Sequence, residues 1–477
     1  MTVSLDKARS RLREINAPRL HLDVIDRFTE VYPDAREVSL IRAPGRVNII
    51  GEHTDYNGLP AMPMAIDREI VIAFAPCDDS AVDLVTLDPG YPRSRFTLSG
   101  DIPKYETGHW GNYVKAAAQA VWGWAEANQP DALPLQGIRG CVGGNIPPGS
   151  GLSSSSALVV ASALAISGGL AIERRELADL LAKGERYVGT EGGGMDQAVS
   201  LMAEEGSALK IDFFPLRTRP VALPARHVIV VANSLVSANK TGGARLAYNT
   251  RVAECRLGLA MLGGRGSRRA TSGPPYEGGL QGVELLRDFM LSELRWRDAL
   301  SGLPDGPMTL AHVARRIGAM EDDLRRKCLT MRDGSLLPEP DSGFQPKKRC
   351  RHVLTEGARV EKAAEAAARG DAVELGRLMD ESHSSCAEDY EISCPELDEL
   401  VSILRRSGAL GARLTGAGFG GCAIALVNTE KAGALMDGAW RAYYEEYLPA
   451  RGTVKASDRD HVLFACNPVS AAGPLFP

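Results

Sequence analysis

The chain contains no run of about 18 uninterrupted apolar residues, so its sequence offers no candidate membrane-spanning helix. Its opening stretch, MTVSLDKARSRLREINAPRL, lacks an apolar core flanked by a cleavage site, which argues against a secretory leader. Positive charge is not in excess. Lys and Arg total 55 against 60 Asp and Glu, a net charge of −5 that disfavours non-specific binding to nucleic acid or to an anionic membrane. The nine cysteines form no C-x-x-C pair, and Cys422 and Cys466 sit among apolar neighbours. Reduced, buried thiols in a cytoplasmic protein are therefore expected, and the near-neutral surface makes a monomer the default.

What is present is enough for a large core: 44% of 477 residues are hydrophobic, a length that favours two or three domains. Apolar spacing predicts helices over 19–33, 111–127, 152–166 and 175–188. β-branched runs predict strands in REVSLIRAPGRVNII (36–50), REIVIAFAPC (68–77), GIRGCVGGNI (137–146), ALKIDFF (208–214) and RHVIVVANS (226–234). The domain boundary is expected near residue 222, in TRPVALPAR, dividing the chain into 1–222 and 223–477. In the second part a helix is expected over 244–262, followed by a Gly-, Pro- and Arg-rich surface loop at 263–282. Amphipathic helices then cover 283–335 and 350–389. SCPELDELVSILRRSG begins a helix at Pro395 that Gly408 ends. Strands at 411–415, 422–427 and 461–466 with a helix at 430–447 complete the unit.

Three glycine-centred segments carry chemistry. GGNIPPGSGLSSSSALVVASALA (143–165) joins a strand to a helix through small residues. Convergent backbone N–H groups and the positive end of a helix suit phosphate there, with Gly149, Ser150, Gly151, Leu152, Ser153 and Ser154 as the cradle. Hydroxyls of Ser153 to Ser156 lie in the first turn, where they can bind phosphate oxygens or a magnesium ion. No G-K-[ST] follows, so this is not a Walker A loop, and a helix cap alone would not need four serines. LTGAGFGGCAIAL (414–426) is a tight turn between strands and a candidate second wall of the same nucleotide pocket. GERYVGTEGGGMDQAVSL (184–201) passes three glycines before starting a helix at Met195 and Asp196. Asp196 could serve as an ordinary cap or accept a proton from a hydroxyl. Glu185 could help hold a metal.

GRVNIIGEHTDY (45–56) gathers an arginine, a glutamate, a histidine and an aspartate behind an apolar strand, as a pocket for a polyhydroxylated ligand requires. Together with PPGSGLSSSSA, GGGMDQ, NTRVAECRL and LTGAGFGGC, in this order, it resembles the GHMP small-molecule kinases, and within them the galactokinase branch. ERYVGTEGGGMDQ and SCPELDELV are more similar to N-acetylgalactosamine kinase, whereas GEHTDYNG follows ordinary members of the branch. The resemblance implies an α+β, two-domain GHMP kinase fold. Its N-terminal domain would be ribosomal-S5-like α/β, and its C-terminal domain ferredoxin-like α+β with extra helices. It also implies phosphorylation of the anomeric hydroxyl of a galactose-type sugar, with ATP and Mg2+. In that scheme Asp196 and Arg46 are catalytic, and Glu52, His53, Asp55, Gly194 and Tyr248 bind the sugar. The loop from Gly149 to Ser154 binds ATP, and Ser155 and Glu185 hold the metal. A silent sugar sensor is disfavoured because the phosphate loop, Arg46 and Asp196 are intact. A mevalonate or homoserine kinase is disfavoured because those substrates lack the ring of hydroxyls that GEHTDY would meet.

Overall fold

The computed structural model describes residues 2–188, 192–237, 243–266, 285–291, 296–331, 334–452 and 458–476. Most of the 263–282 segment expected as a loop therefore lies outside the described residues.

The first sheet has the strand order β1-β2-β3-β6-β4-β5, formed by Val3–Ser4, Glu37–Ile50, Met62–Pro76, Ile138–Gly144, Ala81–Thr86 and Ser94–Thr97 respectively. Neighbours pair antiparallel except β4 with β6, which are parallel. Alternation along β3 sends its side chains to two cores. Val71 and Ala73 pack with Val24 and Phe28 of α2 (Arg19–Val31), which lies with α1 (Leu5–Glu14) on one face. Ile72 and Phe74 join the opposite core. That core is covered by α3 (Gly111–Asn128), α4 (Ser154–Ile166), α5 (Arg174–Gly184) and α6 (Met195–Met202). A hairpin of β7 (Ser207–Asp212) and β8 (Arg217–Ala222) follows.

The second sheet is antiparallel, in the order β10-β11-β9-β12: Gly411–Thr415, Cys422–Asn428, His227–Asn233 and Leu463–Cys466. Between β9 and β10 the chain runs through α7 (Gly243–Gly266) and four short helices, α8 to α11 (Arg287–Leu291, Trp296–Ser301, Leu310–Ile317, Glu321–Leu329). It continues through α12 (Pro346–Ala368), α13 (Ala372–Glu388) and α14 (Pro395–Arg406), and α15 (Ala432–Ala439) joins β11 to β12. The resulting β-α-β-β-α-β order is the ferredoxin-like arrangement with helices inserted in its first crossover.

The two halves share material. Val360 and Met379, on α12 and α13, belong to the core of the first sheet. The chain also ends in that sheet: β13 (Gly473–Pro474) pairs with β2, and Leu475 N–H donates to Leu40 O. A single cut near residue 222 therefore omits the returning tail.

Helix α13 meets β10 through two glycines. A Cβ on Gly376 would lie 2.4 Å from Leu410 O, and one on Gly411 would lie 2.0 Å from Gly376 O. Alanine in a helix ordinarily gains up to about 1 kcal/mol over glycine. At Gly376 overpacking reverses the sign, and Gly376→Ala is expected to cost about 1–3 kcal/mol in chemical denaturation. A stabilised variant would contradict this packing.

Candidate functional site

The site lies where β2 ends, α4 and α6 begin, and the β10–β11 turn closes over them. Strand β2 carries irregularities between Pro44 and Arg46 and between Asn48 and Ile50. Arg46 N–H still finds a partner, donating to Leu152 O at 3.1 Å. The Arg46 side chain is buried and forks onto Asp196, with Nε to Oδ1 at 2.8 Å and Nη2 to Oδ2 at 3.1 Å, while Nη1 donates to Gly151 O. Asp196 stands in the first turn of α6, behind Gly194 at φ 101°, a conformation that favours glycine. Ser153 Oγ donates to Asp196 Oδ2, and Ser156 Oγ reaches the same oxygen at 3.5 Å. A bidentate guanidinium, two hydroxyls and a helix N-terminus together favour the carboxylate anion.

The phosphate-loop candidate turns through Gly149 (φ 66°), Gly151 (φ 77°) and Ser153 (φ 63°) before α4 starts at Ser154. Ser150 is buried and donates from Oγ to Pro147 O at 2.6 Å, so its hydroxyl is committed to shaping the loop. Ser154 and Ser155 are partly exposed in the first turn of α4. The β10–β11 turn closes on this loop, since a Cβ on Gly416 (φ 86°) would lie 2.5 Å from Gly151 O. The two glycine-rich turns are thus neighbours. Glu185 lies in a short 3-10 turn, Glu185–Val188, and its side chain is outside the described residues.

Beyond Ile50, Gly51 (φ 101°) turns the chain toward a 3-10 turn at Asp55–Asn57. Asp55 keeps part of its surface open, and its Oδ2 accepts Gly193 N–H at 2.9 Å. Only glycine fits at 193, because a Cβ there would lie 2.5 Å from Tyr56 N. Desolvation pushes the Asp55 carboxyl above its ordinary value, and Asp196 pushes the same way. Tyr248 of α7 is partly exposed, its ring 5.0 Å from that of His53 and 6.0 Å from that of Tyr56. Asp55, Gly194, Asp196 and Tyr248 therefore all keep accessible surface.

Glu52 and His53 are placed differently. Glu52 is 2% exposed, and its Oε1 accepts Gly416 N–H at 2.8 Å and Arg413 Nη1 at 3.3 Å. Burial raises its carboxyl pKa against the pull of Arg413 and Arg46. His53 sits at φ 60° with Nδ1 2.8 Å from Tyr56 Oη and Nε2 3.1 Å from Ala417 O. A carbonyl only accepts, so Nε2 carries the proton and Nδ1 accepts from the phenol. Both ring nitrogens are thereby used within the protein, which leaves the ring none for a sugar hydroxyl. Desolvation lowers the His53 pKa to about 3, so the ring is neutral.

The sequence reading did not single out the polar residues that the second half sends behind this loop. They are His352 and Glu356 of α12, Tyr390 after α13, and Arg413 of β10. Arg413 had a signal, a cation inside a strand, GARLT, whose other residues are small or apolar. The others are reached only through the fold.

Comparison with known proteins accords with this geometry. Residues 26–76 match the galactokinase galactose-binding signature, 112–204 the GHMP kinases N terminal domain, and 363–446 the GHMP kinases C terminal domain. Galactokinase of Dictyostelium discoideum is 34% identical over 91% of this chain and 89% of its own. That of Saccharomyces cerevisiae is 31% identical over 85% of each. The crystal structure of Lactococcus lactis galactokinase complexed with galactose superposes with a TM-score of 0.70 at 27% identity, covering 94% of this chain and 98% of that one. On both the fold and these relatives, the chain belongs to the galactokinase family.

Proposed function

We propose that the chain transfers the γ-phosphoryl group of ATP to the anomeric hydroxyl of galactose, giving α-D-galactose 1-phosphate and ADP. The observation that carries this reading is the Arg46–Asp196 fork, set between a glycine-serine loop at a helix N-terminus and the partly exposed Asp55 of the GEHTDY loop.

In this reading the sugar C1 oxygen attacks the γ-phosphorus, the bond from that phosphorus to the bridging oxygen of ADP breaks, and the hydroxyl proton leaves toward Asp196. Most of the work is alignment and charge stabilisation. Asp196, held from both edges by Arg46, orients the attacking hydroxyl. Asp55, fixed by Gly193 N–H, accepts from a sugar hydroxyl, and Tyr248 and Gly194 line the ring. Amides from Gly149 to Ser154 take the nucleotide phosphates.

Among the described residues no group of three or more His, Cys, Asp or Glu is arranged to hold a metal. Magnesium in kinases is bound largely by substrate phosphates and one or two protein groups, which fits Ser155 with Glu185 as the protein ligands. When bound, the ion neutralises charge on the phosphates. We further propose a cytoplasmic monomer, in keeping with nine free cysteines and with the lack, among the described residues, of any helix long and apolar enough to cross a membrane.

The test is ADP release with ATP and magnesium on galactose and, in parallel, on N-acetylgalactosamine, whose kinase the ERYVGTEGGGMDQ segment resembles. Galactose turnover supports the reading, preference for the acetamido sugar transfers it to that substrate, and silence on both overturns it. Asp196→Ala is expected to lower turnover by about 10²–10⁴-fold while ATP binding stays near that of the parent. Near-normal turnover would refute its role.

The pH profile follows from the raised carboxyls of Glu52 and Asp55. As pH falls, these acceptors protonate while an ordinary carboxylate is still ionised. The acid limb of kcat/KM for galactose is therefore expected above about pH 4. A midpoint at or below that value would contradict the assignment.

A further inference from the structure

The sugar-recognition loop belongs to the first half of the chain, yet its supports come from the second. Gly51 N–H donates to Glu356 Oε1 at 2.9 Å, and His352 Nε2 donates to Glu52 O at 3.0 Å. The Glu52 carboxylate is gripped by Gly416 N–H and Arg413. Three residues from α12 and β10 thus fix the backbone and the side chain of Gly51 and Glu52.

Arg413 is the centre of this support, and it is fully buried. Its Nη1 donates to Asn48 O at 3.0 Å as well as to Glu52. Its Nη2 lies 3.6 Å from Cys386 Sγ and 4.0 Å from Glu356 Oε1, and its Nε has no partner. Glu356 is also paired with the partly exposed Arg359, whose Nε lies at 2.8 Å, and accepts from Ser382 Oγ, so two buried carboxylates share the fully buried Arg413 and one guanidinium at the rim.

Such a network is a poor device for stability. Desolvation of buried ions commonly cancels their attraction, and apolar side chains of equal volume serve as well. Here two guanidinium nitrogens, Arg413 Nε and Arg359 Nη2, are left without a partner and one ion pair is stretched to 4.0 Å. What the network does achieve is geometric. One guanidinium nitrogen, Nη1, ties the Asn48 carbonyl on β2 to the Glu52 carboxylate beyond the Gly51 turn, while Nη2 of the same plane faces Cys386 and Glu356. The angle at which the loop leaves the strand is thereby fixed.

We infer that Arg413 is a positioning residue for sugar recognition, acting from the C-terminal sheet through Glu52 on the Gly51–His53 segment. This rests on the sugar-kinase reading above. Lysine keeps the charge but has one nitrogen in place of a rigid planar group. It cannot hold Asn48 O and Glu52 as Nη1 does while also facing Cys386 and Glu356 as Nη2 does. Arg413→Lys should therefore raise the KM for galactose about tenfold, with kcat and the KM for ATP within about twofold of the parent.

In a cycle with Glu52→Gln, the Arg413→Lys effect on the galactose KM should shrink to less than about twofold, because the group it positions is already altered. An unchanged galactose KM, an equal rise in both KM values, or full additivity with Glu52→Gln would overturn the inference. If melting curves show that Arg413→Lys does not fold, Arg413→Met combined with Glu356→Gln, which removes one charge of each sign, is scored by the same criteria. The parent enzyme separates the two claims. No turnover of galactose by the parent sinks the sugar-kinase reading, whereas an active parent with an indifferent Arg413→Lys sinks only the positioning role.

Discussion

Two backbones meet at Gly151 and Gly416, and the site is built outward from that contact. Neither residue carries a side chain, and the candidate phosphate loop and the β10–β11 turn approach until a Cβ on Gly416 would lie 2.5 Å from Gly151 O and one on Gly151 would be pressed to 3.3 Å from Thr415 O. The consequences run in two directions. Gly151 O is turned to accept from Arg46, which in turn forks onto Asp196. Gly416 N–H is turned to Glu52, and the next carbonyl, that of Ala417, takes the proton of His53. One steric permission thus joins the Arg46–Asp196 pair, proposed as catalytic, to the GEHTDY loop.

The same contact assigns different physical duties to residues that look alike in the sequence. Asp55, Glu52 and His53 all sit in GEHTDY, where each reads as a sugar ligand. Asp55 has open surface and is held by the backbone N–H groups of Gly193 and Tyr56, so it can serve a ligand. His53 spends both nitrogens bridging Tyr56 and Ala417. Glu52 is buried with Oε1 already shared between Gly416 and Arg413. A carboxylate has a second oxygen to offer, whereas an imidazole with both nitrogens engaged has nothing left.

Much of this was legible before any coordinates. Strand β2 and helix α4 follow from β-branched runs and a dense Ala/Val/Leu segment, and Pro395 and Gly408 bracket α14 as their backbone preferences demand. Local patterns failed where the determinant is distant or the pattern weak. Strand β8 alternates too little to stand out, because its residues are mostly exposed and its partner is a single hairpin strand. The 350–389 stretch, expected to be covered by amphipathic helix, holds most of α12 and all of α13, which part at Gly370, where φ is 73° and Asp371 caps the second helix. The returning strand β13 is two residues long and has no periodicity at all. The buried group of Arg413, Glu356 and His352 is assembled from segments some sixty residues apart in sequence, and only the packing of α12 on β2 and of α13 on β10 brings it to Glu52.

The central claim is that this framework directs a phosphoryl group to the anomeric oxygen of galactose. The most direct test is to identify the product of the purified protein with ATP, magnesium and galactose by phosphorus and proton magnetic resonance. The account predicts a single sugar phosphate whose anomeric proton is split by phosphorus with the small ring coupling of the α-anomer. Phosphate on any other hydroxyl, or a β-linked product, would contradict the geometry proposed for Asp196 and Arg46.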